Sequence, residues 1–144
     1  MLSFATIMLL AGIGIPIMAA MTSSLGKHLN SPVAASAFAF FMALCIALLA
    51  LTITDKSFVK QIPSAPKYLF VAGAFIAFYV LSISFVAPHF GIGNAIFFVL
   101  LGQLLSAAII DHYGLFGAQI NHLSIMRVSG ILVIVFGVWL TQNA

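Results

Sequence analysis

Five apolar stretches, four uncharged and the fifth interrupted only by Arg127, take up most of this chain, over about 2–21, 33–53, 68–87, 92–110 and 124–140. An α-helix rising 1.5 Å per residue needs about 20 such residues to cross the roughly 30 Å of a bilayer's hydrocarbon core. The pattern therefore predicts an all-α membrane protein with five transmembrane helices, a single five-helix domain over residues 1–144. Composition closes off the soluble alternative. With 64% hydrophobic and 5% charged residues, against the roughly 25% charged of a soluble domain, the chain cannot cover its surface with polar groups. Lipid is the solvent that suits such an exterior.

The formal net charge of +3 rests on Lys27, Lys56, Lys60, Lys67 and Arg127. These are too few and too scattered to neutralise a run of phosphates, which excludes nucleic-acid binding. They read instead as topology signals. Lys56, Lys60, Lys67 and Arg127 fall on the N-terminal side and only Lys27 on the other. The positive-inside rule then places the N-terminus in the cytoplasm and, five being odd, the C-terminus in the periplasm. The bias is small enough to allow dual insertion. The start, Met1-Leu2-Ser3-Phe4, lacks the positive region of a signal peptide, so span 1 is expected to be retained. Cys45, the one cysteine, is expected to pack as a small hydrophobe.

The connections differ in kind. Thr22, Ser23, Ser24, Gly26, Lys27, His28, Asn30, Ser31 and Pro32 are a cluster of turn formers that reads as the end of span 1 and the link to span 2. Asp55, Lys56, Lys60, Pro63, Pro66 and Lys67 make the most polar connection, where charges and prolines forbid a buried helix. Pro88-His89-Phe90-Gly91 is short enough to require an antiparallel hairpin of spans 3 and 4. Residues 115–123, with Gly117, form a loop too short to cross, and Trp139 falls where an interfacial aromatic is expected. No internal repeat is visible, so one chain holds at most half of the two-repeat architecture common among secondary transporters.

Small residues predict helix packing. Gly12, Pro16, Ala20 and Ser24 recur every four residues on span 1, Gly73 and Ala77 on span 3, and Gly130 and Gly137 lie seven apart on span 5. Each set shares a face, and close backbone approach drives association in lipid. Pro16 also removes a helical donor and frees a carbonyl, which can line a cavity.

Span 4 carries the deepest polar groups. Gln103 is near its middle, and Ser106 and Asp111 project within about 60° and 80° of it, on opposite sides, while Asn94 points away. An amide in hydrocarbon needs partners, so Gln103 is expected to face the protein interior, for helix-to-helix hydrogen bonding, or a water-filled substrate path. Tyr79 and Ser82 share a face of span 3 and either supply those partners or pack and bond their own backbone. Asp111 and Arg127 lie at one interface, as a structural ion pair or as a gate. No acidic residue is at mid-membrane, which argues against a proton-coupled cation exporter built on one buried carboxylate. His28, His89, His112 and His122 lack metal-ligand spacing, no catalytic constellation is present, and neither a metal, a cofactor nor an enzyme is implied.

The segments Ala87-Pro88-His89-Phe90-Gly91, Gly102-Gln103-Leu104-Leu105-Ser106, Asp111-His112-Tyr113-Gly114-Leu115-Phe116-Gly117 and Arg127-Val128-Ser129-Gly130-Ile131-Leu132, in that order and spacing, resemble the YdcZ-type family of the drug/metabolite transporter superfamily. Pro16 and Ser24-Leu25-Gly26-Lys27 match more loosely. The resemblance implies a bacterial inner-membrane half-transporter that pairs with a second copy or a paralogue in inverted orientation, ten helices enclosing one pathway for small organic molecules. Gln103, Asp111, Gly114 and Arg127 match the family's motif. Where that motif expects a Gln and an Asn on span 1, this sequence has Met18 and Thr22, which points to a more apolar substrate and leaves Thr22 as the span 1 pathway candidate.

The reading that joins these features is an exporter of small organic molecules working as an inverted dimer by alternating access. The alternative is a non-transporting accessory subunit that stabilises or regulates a partner protein.

Overall fold

The computed structural model describes residues 2–54 and 56–142. Met1 and Asp55, both named above, lie outside the described residues. Five helices are long and apolar enough to cross a membrane: α1 (Leu2–His28), α2 (Pro32–Thr52), α3 (Ala72–Phe90), α4 (Ile92–Tyr113) and α5 (Ile125–Gln142). Among the described residues there is no strand. This is an all-α membrane protein.

The turn formers after Met21 are expected to close span 1. They do not end span 1: α1 runs through Thr22, Ser23 and Gly26 to His28. The Thr22 hydroxyl donates to Met18 O at 2.8 Å, so it is satisfied inside the helix rather than competing with it. The turn is only Leu29-Asn30-Ser31, and its chemistry is fully local. Asn30 adopts a left-handed φ of 52°; its N–H donates to Lys27 O at 3.2 Å and the Ser31 N–H to Gly26 O at 3.0 Å. That pair of bonds is a Schellman cap with Asn in the position usually held by Gly. Ser31 then caps the next helix, its Oγ accepting from Ala34 N at 3.2 Å, with Pro32 at the first helical position.

The polar connection after α2 folds into short 3-10 turns, Lys56–Lys60, Ile62–Ser64 and Lys67–Val71. Pro88 and His89, expected in a link, belong to α3, and Gly91 with φ 87° is the one residue between α3 and α4. Asp111 and His112, expected just past span 4, complete its last turn.

The chain divides into two compact units, one up to Ile92 and one from Gly93. In the first, α1 packs on α2 and α3, and α2 on α3. The buried residues there are small: Ala19, Thr22, Ser23 and Gly26 on α1, Ala35 and Ser36 on α2, Ser84 and Ala87 on α3, with Val80 and Ile83 the bulkiest. The large side chains, Phe75, Phe78, Leu49 and Ile46 among them, face outward. In lipid that inversion has a reason. Burying a Phe against another helix gains little over leaving it in acyl chains, whereas small residues let helices approach and gain dispersion contacts.

Gly26 shows how close that approach is. A Cβ built there would lie 3.2 Å from Pro32 Cα. By contrast Gly12, Gly73, Gly130 and Gly137, expected to pack, would each meet nothing within 4 Å. Along α1 the packed face is Ala19, Thr22, Ser23 and Gly26, while Gly12 and Ser24 are exposed and Pro16 and Ala20 half-buried. Ala77 is half-buried on α3. Four-residue spacing names a face of the helix without saying which face meets a neighbour.

In the second unit α4 and α5 are tied at both ends. Arg127 Nη2 donates to Asp111 Oδ2 at 2.6 Å, and Gln142 Nε2 to Asn94 Oδ1 at 3.1 Å. The start of each helix meets the end of the other, so the two are antiparallel. The ties span 17 residues of α4 and 15 of α5, about 26 and 22 Å at 1.5 Å per residue, and so hold one register.

Candidate functional site

The polar groups that sequence places inside the membrane separate into those the chain satisfies and those it does not. Ser36 and Ser84 lead the first class. Both are fully buried. Ser84 Oγ donates to Val80 O at 2.6 Å, which leaves its lone pairs to accept from Ser36 Oγ at 3.0 Å. Pro32 O lies 2.9 Å from the same Ser36 hydroxyl. The sequence expectation on α3 concerns Tyr79 and Ser82 as partners for Gln103 and does not include this α2–α3 bond; the available signal is a serine four residues after a helix-initiating Pro32 and another inside an apolar span. Thr22 and Ser106 also turn to their own helices, the Ser106 hydroxyl lying 2.8 Å from Gly102 O and 3.2 Å from Gln103 O.

Gln103 heads the second class. It is the twelfth of the 22 residues of α4, is exposed, and its side-chain amide has no hydrogen-bond partner among the described residues. The expectation of a helix-to-helix hydrogen bond is therefore corrected for the single chain. The expected single polar face of α4 is divided as well. Asp111 and Asn94 turn to α5, with Ala108 buried on the same side, and Ser106 lies on the opposite side, with Gln103 about 130° from the α5-facing direction at 100° per residue. On α3 the Tyr79 hydroxyl is buried without a partner, and half-buried Ser82 makes no side-chain hydrogen bond among the described residues.

Asp111 and Arg127 form their pair at side-chain exposures of 34% and 30%. Arg127 Nη1 is buried without a hydrogen-bond partner among the described residues. The loop beside the pair is built onto α4: Asn121 N–H donates to Asp111 O at 2.9 Å, and Leu123 N–H to His112 Nδ1 at 3.1 Å. The rings of His112 and His122, ten residues apart, meet edge to face at 5.4 Å. Gly114 turns the chain at φ 60°, where a Cβ would lie 2.7 Å from Ile120 Cγ1. Ser124 caps α5, its Oγ accepting from Arg127 N at 3.1 Å. The ion pair is thus seated in a folded loop, and both its members are placed by helix ends.

A crevice of about 350 Å³ opens at one end of the first unit, lined by Ser23, Gly26, Lys27, Asn30, Pro32, Ser84, Pro88 and His89. It draws on the end of α1, the start of α2 and the end of α3.

The family model described as "Putative inner membrane exporter, YdcZ" matches residues 3–140. No curated protein and no solved structure matches the chain. The match takes in all five helices, the unpartnered Gln103 and the Asp111–Arg127 pair, and an exporter description points to a transporter rather than an enzyme. With nearly its whole length inside one model, the chain belongs to the YdcZ family that carries this description.

Proposed function

We propose that the chain is half of a transporter: all five helices pair with those of a second copy or a paralogue in inverted orientation, and the pair exports small organic molecules by alternating access. The observation that carries this is Gln103. Moving an amide into hydrocarbon without a hydrogen-bond partner costs about 4–8 kcal/mol, and this one is exposed at mid-span with none among the described residues. Protein or water must stand beside it, and a second half enclosing a wet path supplies either. The buried Tyr79 hydroxyl, and the Ser82 hydroxyl with no hydrogen bond among the described residues, lie in the span region as well. An N-terminus in the cytoplasm for one half and in the periplasm for the other fits the small charge bias.

The test uses the full chain with Cys45→Ser and Gln103→Cys, crosslinked in membranes, beside flux of anionic, cationic and neutral fluorescent dyes from liposomes. Crosslinks between oppositely inserted copies, and flux that Gln103→Leu removes, are expected. Only parallel dimers, or a monomer that transports, would sink the model. Flux that needs a co-encoded paralogue assigns the chain to a heterodimer, and binding without flux favours the accessory subunit.

A further inference from the structure

We propose that the crevice at the junction of α1, α2 and α3 is a binding site for an oxyanion, a carboxylate or a phosphate. The inference does not depend on the transport reading.

Three observations converge on it. Ser23 is buried, lines the crevice, and its hydroxyl makes no hydrogen bond among the described residues. Lys27, one turn further along the same face of α1, lines the crevice too and has no carboxylate partner among the described residues. The floor is closely packed on both sides: a Cβ at Gly26 would crowd the Pro32 backbone at 3.2 Å, and Ser84 is held by Ser36 and Val80 O. A buried donor and an exposed cation therefore stand one turn apart on α1 with no acceptor for them among the described residues.

The chemistry of the lining chooses the ligand. Its one formal charge is the Lys27 ammonium, with no Asp or Glu among its residues. A cation would meet repulsion and find no counter-charge. An oxyanion would accept from Ser23 Oγ–H and Lys27 Nζ, bonds of the charge-assisted kind. Asn30 adds an amide at the rim. His89 donates Nδ1–H to Phe85 O at 2.9 Å, so Nε2 of the neutral ring is an acceptor and supplies the oxyanion no bond. A volume of about 350 Å³ admits a carboxylate or phosphate with part of the molecule that bears it.

Such a group could belong to a soluble organic anion or to a lipid headgroup, and the experiment separates the two. The full chain, purified in an uncharged detergent, is titrated calorimetrically with acetate, with inorganic phosphate and with a short-chain phosphatidylglycerol. Saturable binding of a soluble ion, of the lipid, or of both is expected; soluble ions alone identify a solute site, the lipid alone a headgroup site. Lys27→Gln should weaken binding about tenfold or more, Ser23→Ala should weaken it less, and Lys27→Arg should retain it. Lys60→Gln, in the other polar connection, should leave it unchanged. Thermal melts confirm that each variant is folded. The absence of binding by all three probes would overturn the proposal, as would equal binding by the wild type and Lys27→Gln.

Discussion

Ser36 and Ser84, 48 residues apart, are hydrogen-bonded Oγ to Oγ at 3.0 Å with both side chains fully buried. The bond joins α2 to α3 within a core of small residues. Interhelical hydrogen bonds of this kind contribute about 0.6 kcal/mol on average and up to about 1.7 in membrane proteins. Ser84→Ala should cost that much in unfolding free energy in micelles. Because one bond is shared, Ser36→Ala with Ser84→Ala should cost no more than the worse single change. Additive losses would show that each hydroxyl works only within its own helix.

Gly26 and Gly12 should respond in opposite ways. A branched side chain at Gly26 drives into the Pro32 backbone, and Gly26→Val should destabilise by about 1–3 kcal/mol, the usual cost of overpacking. Gly12→Ala meets nothing in the chain and should be neutral or stabilise by up to about 1 kcal/mol through helix propensity. The readout is the melting temperature in detergent. A Gly12→Ala protein that melts normally but loses transport would put Gly12 at the contact between copies.

The α1–α2 turn should follow its caps. Ser31→Ala removes the acceptor for Ala34 N and should cost about 1 kcal/mol. Asn30→Gly suits the left-handed backbone and should be harmless, whereas Asn30→Val places a β-branched residue at φ 52° and should destabilise. Equal melting temperatures for the two Asn30 variants would contradict the Schellman geometry.

The Asp111–Arg127 pair should be exchangeable if its role is to hold α4 against α5. Either single change, Asp111→Asn or Arg127→Gln, should cost about 0.2–1 kcal/mol, a modest figure because both side chains are about a third exposed. The reversed pair, Asp111→Arg with Arg127→Asp, should regain most of it. Full stability with lost transport in the reversed protein would reveal a use of the pair beyond holding the helices.

The number of membrane-crossing helices was legible because it needs only length and hydropathy: about 20 apolar residues have no other way to satisfy their backbone in lipid. The Asn30-Ser31-Pro32 turn was legible for a similar reason, each residue acting on atoms within five positions. The same cluster misled further upstream. Thr22, Ser23 and Gly26 are turn formers in water, but in a membrane helix a hydroxyl can bond the carbonyl one turn back, and a glycine can make room for a neighbouring helix.

Which faces meet was not legible. An amphipathic stripe tells a soluble helix where its core lies, but helices apolar all round carry no such mark. The sequence alone determined that this chain lives in a bilayer, in how many passes, and with which few polar side chains inside it. Only the tertiary structure decided that Ser84 rather than Ser82 bonds α2, that Gly26 rather than Gly12 admits a neighbour, and that Asp111 turns to α5 while Gln103 stays bare. Such choices depend on pairs of residues distant along the chain, and hydropathy is a property of residues one at a time.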